Sequence, residues 1–169
     1  MADLGVLPLV LPAYADLLRF MPAEPAHSYT VGEHSLRVVQ ELGRMRDDGE
    51  PENALFRDVF SGIDRPEVLV LAALLHDVGK IQRKGQHGEI GAQMARTIGY
   101  QLGLDEDAVS LLAFLVREHA LMPRLSRTRD PEQPETVAEL LAALPNPDYL
   151  PPLFLLSSGA VMDKIAPAF

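Results

Sequence analysis

Apolar residues recur along the chain at intervals of three and four positions, which is the spacing of one face of an α-helix. Clusters of proline, glycine and aspartate separate the apolar runs, and no segment alternates apolar and polar residues as a half-buried strand does. The pattern therefore predicts an all-α chain, with residues 121–134 forming a long loop. Helices are expected over residues 12–20, 31–46, 53–60, 66–75, 88–102, 106–117, 135–144 and 152–166.

Two of the predicted helices have informative ends. Thr30 and Glu33 have the spacing of a capping box, so we expect a helix to begin directly after Thr30. Residues 68–75 are apolar on every side, which is typical of a helix at the centre of a core. Gly79 follows this helix and is expected to act as its C-cap glycine.

Length and composition limit the classes of protein to consider. The 169 residues can bury one core, and no repeat or linker divides them, so we expect one domain over residues 1–169. The absence of cysteine excludes disulfide frameworks and thiolate metal sites. A net charge of −9 disfavours nucleic acid and anionic membranes as partners. The apolar residues 4–11 contain Pro8 and are a poor match to a signal peptide, so a soluble cytoplasmic protein is expected.

His76 and Asp77 carry the strongest chemical signal because they directly follow the most apolar predicted helix. An ionised carboxylate at the edge of a core costs several kcal/mol unless a cation or hydrogen-bond donors compensate for it. A divalent ion would compensate the imidazole and the carboxylate together. Since the chain has no cysteine, such an ion must use nitrogen and oxygen ligands.

The other four histidines have simpler explanations when each is taken alone. His34 suits a hydrogen-bonded core residue, and His27 and His87 suit exposed positions in or beside a loop. His119 lies near a predicted helix C-terminus, where the dipole favours it. The order of the possible ligands along the chain is more restrictive than any one of them: His34, His76, Asp77, His87, His119 and Asp163.

The segments around these residues resemble the HD-domain family of metal-dependent phosphohydrolases, and within it the uridylyl-removing domains. They are YTVGEHSL from residue 29, LLHDVGK from residue 74, HGEIGA from residue 87 and VREH from residue 116. The similarity to uridylyl-removing domains is strongest over residues 27–36, 119–122 and 127–131. The resemblance covers about residues 27–165 and implies a bundle of helices around a metal cleft.

The resemblance also implies a set of ligands. His34, His76 and Asp77 match the first metal ligands of the family, and His87 and His119 match the added histidines of two-metal members. Asp77 would then bridge two ions and act in catalysis, and Lys80 would lie near the phosphate as a second catalytic group. We expect one or two divalent ions from the set Mn, Fe, Co, Ni, Zn and Mg, with Mg the least suited to so many nitrogen ligands.

Two positions depart from the family pattern. Gly32 stands where uridylyl-removing domains usually have an aspartate, and Ala160 aligns with the final aspartate ligand. Asp163 lies three residues later on about the same side of a helix, so it is expected to supply the missing oxygen ligand.

Basic residues flank the expected ligands although the chain is acidic overall. Arginine can bind phosphate with two parallel hydrogen bonds, although for any single arginine here a solvated loop charge is the simpler interpretation. The flanking residues are Lys80, Arg83, Lys84, Arg117, Arg124, Arg127 and Arg129. Those expected to bind phosphate are Lys80, Arg124, Arg127 and Arg129.

These features lead to three hypotheses of function. The first is hydrolysis of a phosphodiester or phosphomonoester, with a nucleotide or a nucleotidylated PII-like protein as the substrate. The second is a regulatory HD domain that binds metal or nucleotide while Ala160 has removed turnover. The third is a structural helical module whose histidines are ordinary core residues.

Overall fold

The computed structural model describes residues 6–21, 29–82 and 87–165, and over these ranges the chain is helical without a strand. The predicted all-α class is therefore confirmed. The described residues form ten α-helices: α1 (Leu7–Val10), α2 (Pro12–Arg19), α3 (Val31–Asp47), α4 (Ala54–Ser61), α5 (Pro66–Leu75), α6 (His87–Gln101), α7 (Glu106–Glu118), α8 (Leu121–Thr128), α9 (Pro134–Ala142) and α10 (Leu150–Ile165). Short 3₁₀ turns cover Pro51–Asn53, Val78–Gln82 and Pro147–Tyr149. His27, Arg83 and Lys84 lie outside the described residues.

Helix α5 forms the centre of the core, as its apolar sequence predicts. Its side chains from Val68 to Leu75 are buried on several faces, and α3, α6, α7 and α10 pack against it. Because the helix ends inside this bundle, the next two residues, His76 and Asp77, are buried as well, with exposed fractions of 1% and 3%.

The N-terminus of α3 begins where the capping pattern predicts. The Thr30 hydroxyl accepts a hydrogen bond from the Glu33 backbone N–H at 3.1 Å, and the helix begins at the next residue. Satisfying this free N–H fixes the first turn of the helix, which carries His34.

Helix α2 packs directly on this first turn and explains Gly32. The buried Tyr14 hydroxyl donates a hydrogen bond to the Gly32 carbonyl. A Cβ atom at residue 32 would lie 2.8 Å from the backbone nitrogen of Leu18, which is too close for any side chain. The aspartate usual at this position is therefore incompatible with the packing of α2 seen here.

Gly79 is not the C-cap glycine that the sequence suggested. Helix α5 ends at Leu75, His76 keeps a helical φ of −54°, and Gly79 lies within the following 3₁₀ turn. Among the described glycines, positive φ occurs at Gly103 and not at Gly79. A Cβ at residue 79 would lie 2.0 Å from the His87 carbonyl oxygen, so glycine is needed for α6 to begin against this turn.

The predicted loop over residues 121–134 is also wrong in its first half, which forms α8. Leu121 and Leu125, four residues apart, are buried on one face, and Pro123 lies in the first turn, where no intrahelical N–H is lost. Because this segment has only two buried leucines among several arginines, its helical pattern is too short to recognise from the sequence. The other boundaries differ from expectation by a few residues at most.

No helix in the three described ranges combines the length and the apolar character needed to cross a bilayer.

Candidate metal centre

Four helix ends, those of α3, α5, α6 and α7, bring five of the predicted ligands together. His34 is in the first turn of α3, His87 begins α6, and His119 is the C-cap residue of α7. The ring centroids of His34 and His119 lie 5.0 and 5.1 Å from that of His76, and those of His87 and His119 are 6.0 Å apart. The imidazoles therefore form one continuous cluster.

Asp77 divides this cluster into two sets of ligand atoms. The first set is His34, His76 and Asp77, and the second is Asp77, His87 and His119; within each set all ligand atoms lie within 4.8 Å of one another. Oδ2 of Asp77 is 3.4 Å from Nε2 of His76 and 4.0 Å from Nε2 of His34. Oδ1 faces the second set, 3.5 Å from Nε2 of His119. One carboxylate could therefore bridge two adjacent cations.

Hydrogen bonds on the far side of the rings fix the tautomers. Nδ1 of His76 lies 2.8 Å from the Ala73 carbonyl oxygen, and Nδ1 of His119 lies 2.8 Å from that of Val116. A carbonyl can only accept, so each Nδ1 carries the proton and each Nε2 presents a lone pair to the centre. This is the usual arrangement of histidines that bind a metal.

The protonation states suit the same role. Burial, followed by the neighbouring His76, lowers the pKa of His34 to about 4, and the same two causes lower the pKa of His119 to about 4. Both imidazoles are therefore neutral near pH 7. Burial alone would raise the pKa of Asp77, but His76, Lys80 and His119 outweigh it and hold that pKa well below its usual range. The Lys80 ammonium donates to Oδ2 of Asp77 at 2.8 Å.

Two features of this cluster suit a bound cation. Nε2 of His34 and Nε2 of His76 lie 3.2 Å apart, so a single ion could contact both nitrogens. Oδ1 of Asp77 is buried and has no hydrogen-bond partner among the described residues. Unpaired buried polar atoms are costly, and a divalent ion in each set would satisfy them. The residues present therefore fit a nitrogen- and oxygen-ligated metal centre.

Asp163 lies behind His34 rather than in either ligand set. Its Oδ2 is 2.6 Å from Nδ1 of His34, and its other oxygen is 4.0 Å from Nη1 of Arg37. Its side chain is 5% exposed. Because the carboxylate accepts from Nδ1, it holds Nε2 of His34 toward the centre. Ala160, one turn earlier on α10, is buried.

One residue with a role at the centre was missed from the sequence. The buried Ser157 hydroxyl donates to the His119 carbonyl oxygen at 3.1 Å and so ties the end of α7 to α10. The serines at 157 and 158 give no local signal, since the contact joins residues 38 positions apart.

The predicted phosphate-binding residues are divided by the structure. Lys80 lies at Asp77, and Arg124 lines a cavity of about 450 Å³ together with His87 and His119. Arg129 is paired with Glu139 at 3.1 Å, and Arg127 is exposed on α8. Neither Arg127 nor Arg129 is among the residues that line this cavity.

A helical bundle with this histidine and aspartate order defines a class of hydrolase. Residues 31–146 match the family model of the HD domain, and the chain belongs to this family of phosphohydrolases, whose members bind divalent metals. The predicted resemblance is therefore confirmed.

The curated relatives are more specific. The chain is 36% identical over 161 residues to the bifunctional uridylyltransferase/uridylyl-removing enzyme of Bordetella avium, covering 93% of this chain and 18% of that protein. The enzyme of the same name from Gluconobacter oxydans is 36% identical over 170 residues, covering 98% of this chain and 17% of its own length. That of Photobacterium profundum is 34% identical over 154 residues, covering 90% and 18%. The chain thus spans less than a fifth of the length of these relatives.

Proposed function

We propose that this chain is a metal-dependent phosphodiesterase that removes a nucleotidyl group, with a uridylyl group on a PII-like protein as the preferred substrate. The observation that carries the proposal is the Asp77 carboxylate shared between two histidine sets, with Oδ1 buried and unpaired. The uridylyl group is chosen because the relatives are named as uridylyl-removing enzymes.

The ligand assignment follows from the two sets. His34, His76 and Asp77 would hold one ion, and Asp77, His87 and His119 would hold a second. When bound, the ions supply a hydroxide nucleophile near neutral pH and neutralise charge on the phosphoryl oxygens. Asp77 keeps the two positions at a fixed separation, because its side chain is buried and its pKa is too low for it to become protonated near neutral pH.

Lys80 and Arg124 are the proposed phosphate ligands. The Lys80 side chain is 25% exposed, so its ammonium can turn from Asp77 toward a phosphoryl oxygen. Arg124 is 54% exposed in the cavity on the side of His87 and pairs with Glu139 at 3.5 Å. Because Lys80 and Arg124 lie beside the ligand residues, we favour them as phosphate ligands over Arg127 and Arg129. We propose that Arg127 and Arg129 contact more distant parts of a larger substrate.

Asp163 is proposed as a positioning residue for His34 rather than as a direct ligand. The 2.6 Å hydrogen bond to Nδ1 fixes the ring and increases the basicity of Nε2. This role accounts for a buried carboxylate one helical turn from the position of the usual final ligand, and it leaves the first ion with three protein ligands.

The test is turnover by the full chain supplied with Mn²⁺. We expect release of UMP from a uridylylated PII-like protein and hydrolysis of bis(p-nitrophenyl) phosphate, and loss of both in Asp77→Asn. Asp58→Asn, an exposed change on α4, is the matched control and retains both activities. Hydrolysis by Asp77→Asn at the wild-type rate contradicts the proposal.

The alternative of a regulatory HD domain is favoured by one observation, the buried Ala160 at the position of the final ligand. Stoichiometric metal without turnover of either substrate, across Mn²⁺, Co²⁺ and Zn²⁺, would support that alternative. A structural module is expected to bind no metal at all.

A further inference from the structure

A groove lined by α6 and α7 lies next to the cavity beside His87 and His119. It is a cavity of about 310 Å³, within the size range of small-molecule sites. Glu89 and Arg117 line both this groove and the cavity beside His87 and His119, so the two spaces adjoin. We name it the interhelix groove.

The length of the interhelix groove is set by helix geometry. Its α6 wall is formed by Glu89, Gln93 and Arg96, at intervals of four and three residues, which places them on one face. Arg96 lies nine positions after His87, and at a rise of 1.5 Å per residue this is about 13.5 Å. A phosphate at the metal centre could therefore carry a sugar and base into the groove.

The chemistry of the groove suits a nucleobase. Tyr149 lines the groove, and its ring packs against the buried Phe114 with the two ring centroids 5.1 Å apart. Gln93 and Ser110 add an amide and a hydroxyl, which together donate and accept hydrogen bonds as the edge of a base requires. Recognition of an unpaired base generally combines an aromatic or arginine plane with such edge contacts, and Arg96 offers the plane.

The charge of the groove also favours a nucleotide. Two arginines, Arg96 and Arg117, line the groove with one carboxylate, that of Glu89, in a chain whose net charge is −9; Arg117 also pairs with Glu118 at 2.9 Å. A second cavity of about 400 Å³, lined by three aspartates and one arginine, shares Tyr149 with the groove but no lining residue with the cavity beside His87 and His119.

We infer that the interhelix groove binds the nucleoside part of the substrate, with the base against Tyr149 and the Gln93 and Ser110 side chains. The inference rests on the proposed function in placing the scissile phosphate at the metal centre. It adds the residues that distinguish a nucleotidyl group from a simple phosphate ester.

Binding of the product separates this inference from the question of turnover. We would titrate the ¹⁵N-labelled full chain, loaded with diamagnetic Zn²⁺, with UMP, with uridine and with inorganic phosphate. UMP and uridine are expected to shift the amide signals of Gln93, Arg96 and Ser110. Phosphate is expected to shift only signals near His87 and His119.

Variants of the groove make the test quantitative. Ser110→Trp fills the groove and is expected to weaken UMP at least tenfold while changing the Kd of phosphate less than twofold. Arg96→Ala removes one contact and should weaken UMP about fivefold to tenfold, the effect of one lost hydrogen bond to a ligand. Ser61→Trp, exposed on α4, is the control for the added indole. Circular dichroism checks that each variant is folded.

The inference is overturned if UMP fails to bind, or if Ser110→Trp and Arg96→Ala both bind UMP as the wild type does. If the chain hydrolyses the substrate but the amide signals of Gln93, Arg96 and Ser110 do not respond to UMP, the groove is not the nucleoside site, and the proposed function stands. A groove response in a chain without turnover would keep the groove and contradict the proposed function.

Discussion

Replacing Asp163 tests how the first metal position is built. In the structure its carboxylate accepts from Nδ1 of His34 at 2.6 Å, with the side chain 5% exposed. Asp163→Ala removes the acceptor and lets the His34 ring rotate or change tautomer. Asp163→Asn keeps an oxygen that can accept the same hydrogen bond without the charge.

The expected magnitude follows from this position behind the ligand. Loss of a carboxylate that orients a metal-binding histidine typically lowers metal affinity by about 10- to 100-fold, or about 1.4 to 2.7 kcal/mol. The loss of metal affinity in Asp163→Ala should therefore fall in this range. Asp163→Asn should lose less affinity, because it keeps an acceptor for Nδ1 of His34, although a neutral acceptor is only about half as strong as a charged one. Asp77→Asn removes a ligand from both sets and should lose more than either.

Two measurements check the prediction. Competition with a chromophoric chelator gives the metal affinity of each variant, and long-range ¹H–¹⁵N spectra of the metal-free protein report the tautomer of His34. The spectra should show mixed tautomers for His34 in Asp163→Ala, with His76 unchanged because its Nδ1 donates to a backbone carbonyl. Arg37→Ala is the control, because it removes the cation 4.0 Å from the other oxygen of Asp163 and leaves the hydrogen bond to His34 in place.

Either of two results would refute this reasoning. Wild-type affinity in Asp163→Ala would remove any role at the centre. A loss in Asp163→Asn as large as that in Asp77→Asn would show that Asp163 is a direct ligand, as the sequence had suggested.

Three further predictions concern stability. Burial raises the pKa of Tyr14 above its ordinary value of 10, so only the unfolded chain releases this proton just above pH 10 and stability should fall there by up to about 1.4 kcal/mol per pH unit. Because Tyr14→Phe removes the hydrogen bond to Gly32, it should lower the free energy of unfolding by about 1 kcal/mol at pH 7. It should also remove this part of the fall in stability at alkaline pH, which urea titrations from pH 7 to 11 would measure. An unchanged alkaline fall in the variant would contradict this prediction. Gly79→Ala should lower the free energy of unfolding by at least about 2 kcal/mol in urea denaturation, because its Cβ would lie 2.0 Å from the His87 carbonyl oxygen. Gly43→Ala, whose Cβ would have no atom within 4 Å, should be stabilising. Equal effects of the two substitutions would refute the packing argument. Metal at a hundred times its Kd should stabilise the fold by about 2.7 kcal/mol in thermal unfolding, and an equal gain in Asp77→Asn would place the ion elsewhere.

Most of the fold could be predicted because local signals and burial agree. The Thr30 cap, the proline at the first turn of α5 and the apolar run that follows it each specify an element without reference to distant residues. Helix α8 was not predicted because two leucines among arginines form too short a periodic segment. The burial of these leucines depends on contacts that only the folded bundle makes. Gly79 was misassigned because its glycine is required by the His87 carbonyl, a contact that the local sequence does not show.

The candidate site was predicted from the order of its ligands rather than from local chemistry. Each histidine alone suited a structural role, and only the folded chain shows that each of the four has a ring nitrogen close to a carboxylate oxygen of Asp77. What the sequence could not indicate is which side of His34 Asp163 contacts, because this depends on how α10 packs against α3. The interhelix groove is likewise a product of packing between α6 and α7.

The most direct test is a crystal structure of the chain grown with Mn²⁺, using anomalous scattering to locate the ion. We expect an ion about 2.0 to 2.3 Å from Nε2 of His34, Nε2 of His76 and an oxygen of Asp77. A second ion, if the site fills, would be held by Asp77, His87 and His119. Anomalous density away from these side chains, or none at saturating Mn²⁺, would contradict the central claim that they form a metal centre.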